Sequence, residues 1–188
     1  MAAVARTKSD TGTLWAATAT GRVFISKNAD GPANAVTYTR LDSLAPNSPN
    51  RFVTGIEIDP NNPNHAWIAY SGYNVNDPGT PGHVFEVTFN GTTAVWKNLD
   101  GGTGPMGDLP VTAFARDSHT GDLYAGTDFG VLRLASGDDN WEALTSGLPK
   151  VEVAYLTISP STGTMYAATH GRGVWQLKLP KGSNGGNH

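Results

Sequence analysis

Three carboxylates carry the chemistry this chain could perform. Asp77, Asp108 and Asp128 each lie in a Gly-, Asn- or Pro-rich connection rather than in an apolar run. Loops on a rigid scaffold are where binding and catalytic groups concentrate. A pair of such acids at a fixed separation across a glycosidic bond could serve as general acid and as base or nucleophile. Tyr73, His170 and Arg172 lie in connections of the same kind and complete a candidate rim of six residues. As a binding set this rim offers carboxylates, a phenol, an imidazole and a guanidinium. As a catalytic set it has only the three acids, and no motif selects a pair among them.

Other chemistries find little support. His65, His83, His119 and His170 fall singly at turns or strand starts, without the paired spacing of metal ligands, so no metal site is expected. They read as turn or surface residues. No Gly-x-Ser-x-Gly elbow or phosphate-binding loop occurs, and no cofactor is implied. The absence of cysteine excludes disulfides and thiolate catalysis. A net charge of -3 without a basic cluster argues against nucleic acid as a partner. No apolar run approaches the roughly 18 to 20 residues of a membrane-spanning helix. Asn90-Gly91-Thr92 is a glycosylation sequon, meaningful only in a host that modifies secreted proteins.

The elements that would position the rim follow from a repeat. Leu14-Trp15-Ala16-Ala17-Thr18, Ala66-Trp67-Ile68-Ala69-Tyr70, Leu123-Tyr124-Ala125-Gly126-Thr127 and Met165-Tyr166-Ala167-Ala168-Thr169 are four versions of one strand. Each is followed by a glycine-bearing connection and a second apolar strand. An alternating strand precedes each pair, and in three units a fourth strand follows. With 23 glycines and 12 prolines among 188 residues, and no helical periodicity, the chain reads as all-β with almost no helix. Four-stranded units of this kind stack around an axis, so a β-propeller is expected, with a stack of hairpins in a sandwich as the alternative.

The predicted blades cover residues 2–44, 52–99, 111–144 and 153–179, each with strands a to d except the last, which lacks d. Strand d of the first blade is expected at residues 36–41, and the a–b turn of the second at residues 59–64. Trp96 and Trp141 fall on the outer strand, where partial exposure is expected. Residues 181–188 have linker composition.

The c–d turns Ser26-Lys27-Asn28-Ala29-Asp30-Gly31 and Ser136-Gly137-Asp138-Asp139-Asn140-Trp141 resemble degenerate Asp-boxes. With the repeated Leu-Tyr-Ala-Ala-Thr phrase they make the chain similar to the BNR-repeat, sialidase-like propellers, a group that includes sortilin-type receptors and xyloglucanase-type glycoside hydrolases. Asn28 stands where the family has Asp, and no Trp follows Gly31 at the family's distance. The resemblance implies a six- to eight-bladed ring of which this chain is the C-terminal portion. A closed four-bladed ring and two chains pairing into eight blades are the alternatives. It also implies that b–c and d–a loops share the ligand face.

Sialidase catalysis does not carry over, since the arginines are scattered and the Arg-Ile-Pro signature is missing. Residues 1–6 are too short and weakly apolar for a signal peptide, which leaves a cytoplasmic protein or part of a longer, secreted, bacterial-type one; the resemblance implies the second. The expected function is a non-catalytic binding or scaffold module for a glycan or protein ligand. The alternative is the C-terminal part of a secreted glycoside hydrolase acting through paired carboxylates. The unpaired edge of blade four is expected to be completed by another chain or by further blades.

Overall fold

A computed structural model describes residues 2–45, 47–101, 104–144 and 147–179. Within them the chain is all-β and forms four successive antiparallel sheets, the blades of a β-propeller. Blade one holds β1 (Ala3–Arg6), β2 (Leu14–Ala17), β3 (Val23–Ser26) and β4 (Thr39–Arg40). Blade two holds β5 (Val53–Asp59), β6 (Asn62–Tyr70), β7 (Val84–Phe89) and β8 (Ala94–Asn98). Blade three holds β9 (Val111–Arg116), β10 (Leu123–Thr127), β11 (Gly130–Leu134) and β12 (Trp141–Ala143). Blade four holds β13 (Val153–Ser159), β14 (Thr164–Thr169) and β15 (Gly173–Lys178), and its described residues contain no fourth strand. Residues 181–188, read as a linker, lie outside the described residues.

Both faces of an interior blade must be apolar, because each is covered by a neighbour. Strand alternation sends successive side chains to opposite faces. Trp15, Val23 and Ile25 therefore meet Ile56, Ile68 and Phe85 of blade two. Ala69 and Val84, from the other face of blade two, meet Phe114 and Leu132 of blade three. Ala113 and Tyr124 then meet Leu156 and Met165 of blade four. The first strands β1, β5, β9 and β13 pack side by side along the inside. Among the described residues no comparable packing joins β13 back to β1, so the four blades form an open arc.

Three details differ from the sequence reading. Strand d of blade one is confined to Thr39–Arg40, because residues 28–37 close on themselves. Asn28 accepts the Thr37 N–H at 2.9 Å and donates to the Ala35 carbonyl at 2.9 Å, holding this stretch as a turn. The a–b turn of blade two is tighter than expected: Asp59 pairs with Asn62, and Pro63 to His65 bulge from the ladder before Ala66 pairs with Ile58. Trp96 and Trp141 are buried rather than partly exposed. The Trp141 indole donates to the Leu99 carbonyl of the preceding blade at 2.7 Å, so it seals an inter-blade joint.

Candidate functional site

The b–c and d–a connections meet on one side of the arc. The Asn50 N–H, before blade two, donates to Asp77 Oδ2 at 2.7 Å. The Asn74 N–H, in the long b–c loop of blade two, donates to Asp108 Oδ1 at 2.7 Å. The Tyr73 hydroxyl donates to Asp128 Oδ2, in the b–c turn of blade three, at 2.7 Å. On the opposite side, a–b and c–d turns touch: the Ser9 hydroxyl donates to the Pro60 carbonyl at 2.9 Å, and Lys27 reaches Asn64 at 2.7 Å.

Short-range chemistry shapes the loops. Thr127 accepts the Phe129 N–H at 3.1 Å and donates to the Gly130 carbonyl at 3.0 Å, which fixes the b–c turn of blade three and sets Asp128 at its tip. Thr18 and Thr169 hold the corresponding turns of blades one and four. In blade two Tyr70 replaces this threonine, and the longer connection is organised instead by a 3-10 turn, Asn74–Asn76.

Beneath the loops lies a buried polar cluster that the sequence did not disclose. Asp100 follows strand d of blade two and accepts the N–H groups of His83 and Val84, each at 2.9 Å. His83 is fully buried, which corrects its reading as a surface or turn residue. Its Nδ1 lies 3.0 Å from Asp100 Oδ2 and its Nε2 lies 3.4 Å from Asp108 Oδ1. Arg51, also buried, donates to the Gly72 carbonyl at 2.5 Å and to the Gly82 carbonyl. Burial pulls the Arg51 guanidinium below its ordinary pKa, and Asp77, Asp100 and Asp108 oppose that pull. A signal existed in the sequence: Leu41-Asp42 and Leu99-Asp100 end two successive d strands. Asp42 does for Val23 what Asp100 does for His83, accepting its N–H at 2.8 Å.

The predicted rim therefore divides. Tyr73, Asp108 and Asp128 are linked across blades two and three, with Asp77 anchored beside them by Asn50 and by the Thr80 hydroxyl at 2.6 Å. His170 and Arg172 stand apart in blade four. His170 Nδ1 lies 3.2 Å from Glu152, and the Arg172 carbonyl accepts the Trp175 indole N–H at 3.0 Å. For Asp77, burial would raise the pKa, but the Asn50 N–H, the Thr80 hydroxyl and the Arg51 charge outweigh it and hold the carboxyl below its ordinary value. Asp77 is thus an ionised acceptor and is unsuited to donate a proton near neutral pH. Among the described residues, no three His, Asp or Glu side chains converge as a metal site would require.

A second charged constellation occupies the opposite side, between blades two and three. His65 bridges Asp59 at 3.1 Å and Glu86 at 2.8 Å, and its ring packs on Trp67 at 4.6 Å between centroids. Arg116 covers the Trp67 ring at 4.8 Å. Glu57, on the inner strand of the same sheet face, is half-buried, and burial pushes its carboxyl up to about 7 against the pull of Arg116. Trp67 is thereby packed against its own neighbours His65 and Arg116.

Comparison with known proteins gives the fold and little more. No family model matches the chain, and no curated protein matches it. Among solved structures, it is similar to the β-propeller domain of Cps50 (Swd1) from Myceliophteria thermophila, with 14% identity, a TM-score of 0.68, and coverage of 95% of this chain and 52% of that one. It is also similar to PorZ, a bacterial surface component of the type-IX secretion system of Porphyromonas gingivalis (19% identity, TM-score 0.64, 94% of this chain and 25% of that one). An ancestral GH74 enzyme matches at 21% identity with a TM-score of 0.60, over 88% of this chain and 21% of that one. The chain thus spans about half or less of each structure's length. These likenesses place it in the β-propeller class, which hosts enzymes and non-catalytic proteins alike.

Proposed function

We propose that this chain is a non-catalytic binding module whose ligand face is built from the b–c and d–a loops of blades two and three, and that its ligand is a glycan. The observation that carries this reading is the state of the three acids. Asp77, Asp108 and Asp128 each accept a hydrogen bond from the chain's own loops, and Asp77 sits below the ordinary carboxylate range. Acids tied up in this way order loops and accept sugar hydroxyls, and for Asp77 a role as general acid would need the opposite shift. Beside them Tyr73 and Phe129 are exposed, offering aromatic surface of the kind that stacks on sugar rings. His170 and Arg172 would extend the rim toward blade four. A longer, secreted parent protein fits the bacterial surface location of one similar structure.

A second reading, the C-terminal part of a glycoside hydrolase, draws on the likeness to the GH74 enzyme, of which this chain spans 21%. A glycan-array screen run beside a reducing-sugar assay separates the two. The binding reading expects glycan retention that is lost in Tyr73→Ala and Phe129→Ala, with no sugar released. Sugar release that disappears on replacing Asp77, Asp108 and Asp128 would overturn it. An array without a hit, together with capture of a protein ligand through the same face, would overturn the glycan assignment alone.

A further inference from the structure

The joints between consecutive blades use equivalent positions but are not closed alike. Blade one turns the cross-strand pair Trp15 and Ile25 toward blade two. Both are buried, and the Trp15 indole donates to the Pro63 carbonyl at 2.8 Å. Blade two turns Trp67, Glu86 and Lys97 toward blade three from the same register. Here the packing stops short, and a cavity of about 270 Å³ is left between blades two and three. Its floor is Leu99, Leu123 and Leu134, all buried. Glu86 and Lys97 wall it on the blade-two side, and Asp138 and Asp139 of the c–d turn wall it on the blade-three side. Both walls belong to interior strands and turns, so the cavity owes nothing to where the chain begins or ends.

The charges around this cavity are not spent on each other. In blade three the equivalent cross-strand pair, Arg133 and Glu142, is joined directly as an ion pair. Glu86 and Lys97 are also cross-strand partners, yet among the described residues they form no ion pair. His65 Nε2 lies 2.8 Å from Glu86 Oε1 and fixes that carboxylate, while Lys97 reaches across to Asp139 at 3.4 Å. The Lys97 and Asp139 side chains are 59% and 81% exposed, and an ion pair so exposed is weak and opens readily. Glu86 is more sheltered, at 32%. A partly desolvated carboxylate gains most from a cation that brings its own N–H donors. The lining as a whole sets Glu86, Asp138 and Asp139 against the single positive charge of Lys97.

We propose that this cavity binds a small organic ammonium ion, with the ammonium N–H groups on Glu86 and the hydrocarbon on Leu99, Leu123 and Leu134. The volume falls just below the roughly 300 Å³ at which pockets for drug-sized ligands begin, so the occupant is an alkylamine of a few carbons. The site is separate from the loop face: it lies on the side of the a–b and c–d turns. A bound amine bridges blades two and three at the joint that has no counterpart of the Trp15 seal.

Isoamylamine and isovalerate share a branched hydrocarbon and differ in the sign of the head group, so amide chemical-shift titrations of the 188-residue chain with each test the site. Isoamylamine is expected to saturate at about 1 to 10 mM, moving the signals of Trp67, Ser136 and Asp139, and isovalerate to move none of them. Glu86→Gln keeps an acceptor for His65 but loses the charge, and should weaken isoamylamine about 10-fold or more. Lys97→Ala, at an exposed position, removes a like charge from the lining and should tighten isoamylamine about 2- to 3-fold. Isovalerate binding better than isoamylamine, or isoamylamine weakened by Lys97→Ala, would overturn the proposal by reversing the charge of the ligand. Shifts that stay linear up to about 100 mM, or a saturation that Glu86→Gln leaves unchanged, would overturn it as well. Should Glu86→Gln fail to fold, the two probes and Lys97→Ala decide the matter.

Discussion

The Tyr73 hydroxyl and Asp128 Oδ2, 2.7 Å apart, tie the b–c loops of blades two and three into one surface. Asp128 pushes the Tyr73 phenol above its ordinary pKa, first through the hydrogen bond itself, so Tyr73 is the donor throughout the physiological range. Removing only the hydroxyl in Tyr73→Phe should weaken glycan binding by about 3- to 10-fold, the worth of one hydrogen bond. Tyr73→Ala, which also removes the ring, should weaken it further. Titration calorimetry against an array hit measures both, and equal affinities for the phenylalanine variant and the wild type would show that the link does not order the face.

Asp100 is the centre on which blade two and its loops converge. It accepts two backbone N–H groups and faces the His83 ring from a nearly enclosed position. Asp100→Ala strands those donors in the interior and should cost about 3 kcal/mol or more in urea denaturation. Asp100→Asn keeps an acceptor and should cost less. Asp42→Ala should fall between them, since Asp42 serves one backbone donor and its ion pair with Arg40 is partly exposed.

The repeat was legible in the sequence because strand order depends on local patterns. Four copies of an apolar strand with a glycine-bearing turn mark the four blades. Side-chain roles were less legible, because they depend on the neighbouring blade. His83 looks like a turn residue in the sequence because its partner in the interior, Asp100, lies 17 positions on. Tyr73 meets Asp128, and Asn74 beside it meets Asp108, because loop order decides which face these residues share. The same loop count includes His170 and Arg172; in blade four the His170 ring lies against Glu152 and the Arg172 backbone carbonyl takes the Trp175 indole N–H. Arg51 had no signal: an isolated arginine before strand a became a buried clamp only because the loop of residues 71–82 folded over it.

Glycine at position 55 is a packing requirement. Its Cα approaches the next blade so closely that a Cβ would lie 2.8 Å from the Cβ of Phe114. Gly55→Ala should therefore destabilise the chain by about 1 to 3 kcal/mol through overpacking, although alanine normally favours a strand over glycine. Pairing it with Phe114→Leu should not restore stability, because the clash is with the shared Cβ. Melting temperatures of the single and double variants check this, and an unchanged Gly55→Ala would mean that the blades can separate freely.

Glu57 gives the fold a specific pH dependence. Its carboxyl titrates at about 7 in the folded chain against 4.5 in the unfolded one, chiefly because burial disfavours the charge. The folded state therefore holds a proton that the unfolded state has lost between those values, and stability falls as pH rises through the window. Its contribution is fully present below pH 4.5 and lost above about 7. Arg116 supplies the nearest compensating charge, and Arg6 and Lys8 line the same cavity beside blade one. Glu57→Gln removes this titration and leaves the others in place. Wild type and variant should differ least near about pH 4.5, and by about pH 8 the variant should gain roughly 3 kcal/mol relative to the wild type. Paired urea melts across that range read the difference directly, and a constant offset between the two proteins at every pH would show that Glu57 titrates in the fold as it does in the unfolded chain.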